Sequence, residues 1–331
     1  MRALTIVQPH QVDVREVEIP EPGSQEVLIE VRACGICGTD VHIFHGEYMG
    51  SYPIVPGHEF AGVVKAVGAD VSRVSVGDRV AVEPNIACDR CFACLHNRQN
   101  FCNNWEAVGV TRPGGMAEYV VAPEKTVFNL DDLSFEVGAF MEPLSCVVHG
   151  VERADVRLAD RVAIVGAGPI GLLLLQVIQR QGAASITVAE RQPARLDLAR
   201  SFGADRVVPS ADALGQDAYD VVVDATGAVT MMSRTLTWVR RGGTILLFGV
   251  PPRDSQLTLD AFSLFEKGVT VRSSFTSVRN SYQALALLRS GQVEVAPLIS
   301  HRLPLEAFER GVHLIEEGLE DVRKVLLLPN G

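Results

Sequence analysis

From Met1 to about Val127 the apolar residues come in short runs, Val27–Val31, Gly62–Val67, Asp78–Val82 and Ala117–Val121, with Pro22-Gly23, Pro56-Gly57, Gly77-Asp78 and Pro113-Gly114-Gly115 between them. Short apolar runs bounded by turn residues predict strands, so this half is expected to be β-rich, a compact twisted sheet or barrel-like unit. Beyond Leu144 the rhythm changes. Strand-like Arg161–Val165, Ser185–Ala189, Val221–Val223 and Thr244–Phe248 alternate with helical Ile170–Gln181, Pro193–Phe202 and Thr230–Trp238. That alternation implies right-handed βαβ crossovers and a parallel, doubly wound α/β sheet. The tail carries an amphipathic helix Tyr282–Arg289 stopped by Gly291, a strand Leu298–His301, a helix Pro304–Glu317 and a last strand Lys324–Leu328. The expected domains are residues 1–146, an inserted doubly wound domain 147–283, and a return segment 284–331 that rejoins the first.

Composition narrows the function. The chain has 331 residues, 30 Lys+Arg against 40 Asp+Glu and a formal charge of −10, so nucleic acid or an anionic membrane is not the expected main partner. The longest apolar run, Val162–Ile178, is interrupted by Gly166, Gly168, Pro169 and Gly171, which rules it out as a membrane span. The amino terminus lacks the apolar region and cleavage site of a secretion signal, and a cytoplasmic enzyme is expected. Seven cysteines is an odd number, and four of them crowd into Cys88–Cys102. Metal ligation in a reducing compartment suits them better than a disulfide framework.

Two motifs have a mechanism of their own. Gly166-Ala167-Gly168-Pro169-Ile170-Gly171 follows a buried-strand run and opens a helix, and Glu190 ends the next strand 19 residues after Gly171. The first glycine permits the turn, the second lets backbone approach a pyrophosphate, and the third allows close helix packing. Glu190 would accept hydrogen bonds from the adenosine ribose and repel a 2′-phosphate, favouring NAD. Arg191 and Arg195 could instead hold that phosphate, so NADP stays open. The second motif, Cys88, Cys91, Cys94 and Cys102, supplies four thiolates within 15 residues, enough to close a tetrahedron around a structural Zn²⁺ with no open position. An iron–sulfur cluster needs similar ligands.

A third set is scattered: Cys37 in Gly35-Ile36-Cys37-Gly38-Thr39-Asp40-Val41-His42, the pair His58-Glu59 after Pro56-Gly57, and Glu142 in Met141-Glu142-Pro143-Leu144. Taken singly, each has a bland reading as a buried thiol, a core histidine or a helix-start carboxylate. Cys34 and Cys37 have redox spacing but lie in a β-rich region, unlike a thioredoxin-type pair.

Taken in order, GICGTDVH, PGHE, the four-cysteine run, MEPLSC and GAGPIG resemble, over essentially the whole chain, the zinc-dependent medium-chain alcohol dehydrogenase family. Glu142 at the third-ligand motif, and the stretch His42–Tyr48, are similar to the polyol (sorbitol- and arabinitol-type) and threonine dehydrogenase branch. The resemblance implies a β-rich GroES-like catalytic domain with an inserted Rossmann domain. It implies two Zn²⁺ per subunit, the catalytic one on Cys37 and His58 with Glu59 and Glu142 as the remaining candidates, and NAD as hydride acceptor. Thr39 would receive the substrate proton and His42 would end its relay to solvent, while Asp40 either orients a ligand or caps a turn. Val250 and Phe275 would offer backbone groups to the nicotinamide. Phe44, Trp105, Phe265 and Phe275 fall where relatives approach substrate or nicotinamide, and Val269–Arg272 resembles a strand that pairs across a two-fold axis in a homodimer or homotetramer. Cys34 and Cys146 are left as packing thiols. The implied substrate is a small-molecule polyol or related alcohol. Uncharged is preferred, because a phosphorylated one would need local Arg or Lys against an unfavourable field.

Overall fold

The computed structural model describes residues 1–330 of the chain. Its first unit begins with a hairpin, β1 (Arg2–Gln8) against β2 (Gln11–Glu16), turned at His10 with φ 61°. Strand β3 (Glu26–Gly35) follows, then helix α1 (Gly38–His45) and strands β4 (Glu59–Val67) and β5 (Arg79–Val82). The two-residue pair β6 (Asn85–Ile86) and β7 (Glu106–Ala107) brackets a lobe with one α-helical turn, α2 (Phe92–Leu95), and one 3-10 turn, Gln99–Phe101. Strands β8 (Tyr119–Pro123) and β9 (Val127–Asn129), the turn α3 (Phe135–Gly138) and helix α4 (Met141–Ala154) complete this first pass.

The second unit, Cys146–Ser277, is the doubly wound one. Strands β10 (Arg161–Val165), β11 (Ser185–Ala189), β12 (Arg206–Val208), β13 (Tyr219–Asp224), β14 (Val239–Leu247) and β15 (Thr270–Ser273) form a six-stranded sheet in the order β12-β11-β10-β13-β14-β15. Every pair in it is parallel. The order reverses between β10 and β13, which places the ligand crevice of such a fold at their carboxyl ends. Helices α5 (Pro169–Arg180) and α6 (Pro193–Ser201) lie where the apolar period put them. The expected helix Thr230–Trp238 is instead two turns, α7 (Val229–Met232) and α8 (Thr235–Trp238). Ser233 Oγ donates to Thr230 O at 3.1 Å and Thr235 Oγ1 to Met232 O at 2.6 Å, and hydroxyls that bond nearby carbonyls compete with the helix ladder. Helix α9 (Ala261–Lys267) precedes β15.

The chain then returns to the first unit, which comprises Met1–Ser145 and Val278–Gly331. Residues 278–283, expected with the inserted domain, belong here. They open helix α10 (Ser281–Arg289), whose Ser281 Oγ donates to the buried Glu83 carboxylate at 2.7 Å. Strand β16 (Ile299–Leu303), helix α11 (Phe308–Glu317) and strand β17 (Lys324–Leu327) finish the chain. A seven-stranded sheet runs β16-β17-β3-β4-β5-β9, with β8 also paired to β3. Strand β3 therefore has neighbours on both edges, and Val27, Ile29, Val31, Ala33 and Cys34 are fully buried. Each large apolar side chain so buried contributes about 1.5–3 kcal/mol.

Candidate active site

Strand register assembles the scattered set. Gly35, ending β3, pairs with Glu59, which opens β4, so Cys37 just beyond β3 meets His58 and Glu59. One ligand atom from each of Cys37, His58 and Glu59 lies within 4.8 Å of the others. On the other edge of β3, Leu326 pairs with Gly35 and Ile36 N–H donates to Val325 O at 2.9 Å, which brings Lys324 to the same place. Its ammonium forms an ion pair with Glu59, the two side chains being 7% and 1% exposed. A Cβ at Gly35 would meet the ends of both side chains, so the pair as it stands occupies the space that glycine leaves open there. Lys324 had no motif to announce it. It reads as the polar first residue of an apolar strand.

Asp40 caps the start of α1 and ties it to the turn before β4. It is fully buried, its Oδ2 accepts from Cys37 N–H at 2.9 Å to cap α1, and its Oδ1 accepts from Gly57 N–H at 3.1 Å. His58 Nδ1 lies 3.5 Å from that same Oδ1 and makes no hydrogen bond. Burial alone would disfavour a charged His58, but the Asp40 carboxylate and Cys37 outweigh it and raise its pKa well above the ordinary value. A thiol, an orphaned buried imidazole nitrogen and a carboxylate, in a field that draws positive charge inward, fit a divalent cation of the zinc class. Burial, with Asp40 adding to it, pushes the Cys34 thiol well up and keeps it an inert packing group.

Glu142 is not in this cluster. It is buried in the first turn of α4, where its carbonyl accepts from Ser145 Oγ at 2.7 Å. Thr39 and His42 stand three apart on α1, hence on one face, both half-buried, and His42 Nδ1 is 3.0 Å from Glu47 Oε2. Phe44 packs on Phe308 with ring centroids 5.9 Å apart, and Trp105 Nε1 donates to Asn85 Oδ1 at 3.0 Å. Both also pack, half-buried, against the core of the first unit.

In the lobe, the sulfur atoms of Cys88, Cys91, Cys94 and Cys102 converge. The Sγ separations from Cys91 are 3.5 Å to Cys94 and 3.9 Å to Cys102, close to the roughly 3.8 Å edge of a tetrahedron with 2.3 Å arms. Backbone N–H groups of Cys88 and Asn104 each lie 3.3 Å from Cys102 Sγ. Backbone donors from Cys94 and Asn103 pull Cys91 down to about 6, while burial and the neighbouring thiols push Cys94 up to about 12. Four thiolates at this spacing would repel one another; a bound cation would let all four ionise.

The second unit holds the dinucleotide fingerprint. Gly166 adopts φ 99°, closed to most other residues, and a Cβ at Gly171 would strike the Gly166 carbonyl. A Cβ at Gly168 would meet nothing within 4 Å, so that glycine faces open space. It borders a cavity of about 800 Å³ that is also lined by Gly166, Glu190, Arg191, Arg195 and Arg234. Glu190 is anchored by three backbone donors: Ala167 at 2.9 Å, Arg191 at 2.7 Å and Gln192 at 3.0 Å. The open cradle at Gly168 and the helix start at Pro169 fit a pyrophosphate. Pro169, Ile170 and Gly171 shape the turn without lining the cavity, and Val250 and Phe275 are not part of its wall. Phe265, expected near the substrate, is 82% exposed on α9.

Residues 23–132 match the alcohol dehydrogenase GroES-like domain and residues 169–290 the zinc-binding dehydrogenase domain. The chain is 35% identical over 312 residues to D-altritol 5-dehydrogenase of Agrobacterium fabrum strain C58, covering 92% of this chain and 93% of the relative. It is 33% identical over 324 residues to D-arabinitol dehydrogenase 1 of Uromyces fabae, covering 94% and 93%. A provisionally assigned zinc-binding dehydrogenase from Sinorhizobium meliloti 1021, solved bound to NADP, superposes with a TM-score of 0.94 at 34% identity, covering 99% of both chains. With the β-rich unit, the inserted parallel sheet and both ligand clusters in place, the chain belongs to the zinc-dependent medium-chain alcohol dehydrogenase family, and it is an enzyme of that dehydrogenase class.

Proposed function

We propose that this enzyme oxidises a secondary alcohol of an uncharged polyol to a ketone, with NAD as hydride acceptor, at a zinc held by Cys37, His58 and a carboxylate. The observation that carries it is the convergence of Cys37, His58 and Glu59, within motifs shared with the polyol branch. When bound, zinc would supply a Lewis acid that acidifies the substrate hydroxyl, and the nicotinamide would supply the hydride acceptor. Cys37 and His58 hold the metal, and Glu59 competes between it and Lys324, with Glu142 the alternative carboxylate. Asp40 fixes the start of α1 and draws positive charge toward His58. Thr39 takes the hydroxyl proton and His42 passes it toward solvent. The cysteine quartet holds the second, structural zinc.

Glu190, fixed in place by three backbone donors, favours the unphosphorylated ribose of NAD, while Arg191 and Arg195 in the same cavity let NADP bind more weakly. Lys324, the cation that reaches the metal cluster, is taken up by Glu59 rather than presented to a phosphate, which supports an uncharged substrate. Strand β15 ends the six-stranded sheet, with Phe262, Phe265 and Val271 exposed nearby; an open apolar edge supports a homodimer through β15, single or doubled into a tetramer. All seven cysteines are free, in keeping with the cytoplasm, and among the described residues no helix is long and apolar enough to cross a membrane. A steady-state screen of sugar alcohols, their phosphates and L-threonine, with NAD and NADP in parallel, tests the reading. Turnover of sugar alcohols with NAD supports it; turnover of L-threonine alone refutes the substrate class.

A further inference from the structure

Helix α1 ends at Gly46, whose φ of 81° is left-handed and whose N–H closes on the carbonyls of His42 and Ile43. Glu47 N–H then donates to His42 O at 2.8 Å. This reversal folds Glu47 back over the last turn, so that its Oε2 lies 3.0 Å from His42 Nδ1. An ionised carboxylate only accepts hydrogen bonds, so the proton of a neutral His42 ring sits on Nδ1 and Nε2 is left as the acceptor. Among the described residues no protein group bonds Nε2. The other titratable groups of this corner are occupied with each other. His45 Nδ1 is 3.3 Å from His10 Nδ1, and His45 Nε2 bonds Glu316 on α11.

We propose that Glu47 is a positioning residue that holds His42 in its Nδ1–H tautomer, so that the Nε2 lone pair is free to take the proton released by alcohol oxidation. The inference rests on the reading of His42 as the end of the relay. The proton arrives at Nε2 and makes an imidazolium whose Nδ1–H stays on the Glu47 carboxylate. The same proton then leaves Nε2 for water, to which the 20%-exposed side chain is open. The Glu47 carboxylate only accepts from Nδ1–H, takes up no proton itself, and no electrons move. Without it the ring reverts to the opposite tautomer that free imidazole prefers in water, and its acceptor faces the wrong way.

Nitrogen-15 spectra of the full-length, zinc-loaded enzyme test this, with the His42 signals identified by their loss in His42→Gln. The native enzyme is expected to show Nδ1 protonated and Nε2 bare, and Glu47→Ala to reverse the two. The kcat of Glu47→Ala should fall about fivefold, a small part of the 10²–10⁴-fold that a positioned acid–base group supplies. KM for the alcohol should change less than twofold, added imidazole should recover the rate, and Glu47→Asp should fall between native and Ala. An unchanged tautomer in Glu47→Ala overturns the proposal, as does a reversed tautomer with full kcat while His42→Gln is slow. If His42→Gln itself turns over at the native rate, the relay reading fails, and the spectra alone then decide whether Glu47 sets the tautomer.

Discussion

The ion pair between Lys324 and Glu59 makes the sharpest prediction. Lys324→Met keeps the length and apolar stem of the side chain and removes its charge, leaving the Glu59 carboxylate, 1% exposed, without its cation. Breaking one side of a buried pair costs about 3–5 kcal/mol. For a domain of 150–250 residues each kcal/mol shifts Tm by roughly 2–4 °C, so the chelator-treated variant should melt about 10 °C below the chelator-treated native chain. Zinc changes the balance, because it offers the stranded carboxylate another cation. If the zinc-loaded variant recovers about 2 kcal/mol of the loss, the thermodynamic cycle requires zinc to bind it roughly thirtyfold more tightly. Thermal melts with and without zinc, and competition against a chromophoric chelator, give both sides of that cycle. Glu59→Gln on top of Lys324→Met should restore most of the stability of the metal-free chain, as coupled neighbours do. A cost to the metal-free chain of less than about 1 kcal/mol, the worth of an exposed pair, or weaker zinc binding by Lys324→Met would refute this role for the pair.

Two glycines of the fingerprint should separate binding from folding. Gly168→Ala places its Cβ in open space at the cavity, so it should fold and melt as the native chain does while losing dinucleotide affinity in fluorescence titration; Gly171→Ala collides with the Gly166 carbonyl and should lower the melting temperature as well. Cys102→Ser should reduce zinc from two to one per chain by atomic absorption and open the 88–102 lobe to protease, with the zinc at Cys37 retained; loss of both metals would contradict separate sites. Asp220 accepts from Arg161 N–H at 2.9 Å and Arg161 Nε at 3.1 Å and pairs with Arg240, bonds that together outweigh burial and hold its pKa below the usual range. A depressed carboxylate stabilises fully above its unfolded value of about 3.9 and loses that contribution as pH falls through its folded value. Asp220→Asn should therefore lower stability to urea by about 1–2 kcal/mol at pH 7, with the gap to the native chain closing below about pH 4; a gap constant down to pH 2 would count against it.

The doubly wound half was the more legible in the sequence. Its central strands are buried on both faces, so Arg161–Val165 and Ser185–Ala189 read as short, mostly apolar runs rich in β-branched residues and match the observed strands residue for residue. Helix α1 was not foreseen, because Thr39, Val41 and Ile43 are β-branched and weak helix formers. It stands on the Asp40 cap and on the burial of Asp40, Val41 and Ile43. The metal cluster was out of reach of spacing arguments for a different reason. Cys37 and His58 are brought together by the register that pairs Gly35 with Glu59, and Lys324 arrives through a strand nearly three hundred residues away. Register between distant strands depends on which faces are buried, a property of the folded sheet that no local pattern carries. The quartet in the lobe was legible because its ligands are close in sequence and need no register.

Whether alcohol oxidation runs on a zinc held by Cys37, His58 and a carboxylate is decided by measuring zinc content and nicotinamide reduction together in Cys37→Ser. Cys37→Ser should hold one zinc per chain, still in the cysteine lobe, keep a native fold, and lose turnover on every sugar alcohol the native enzyme accepts. Native turnover by Cys37→Ser, or two zincs still bound with one of them at the altered site, would contradict that assignment.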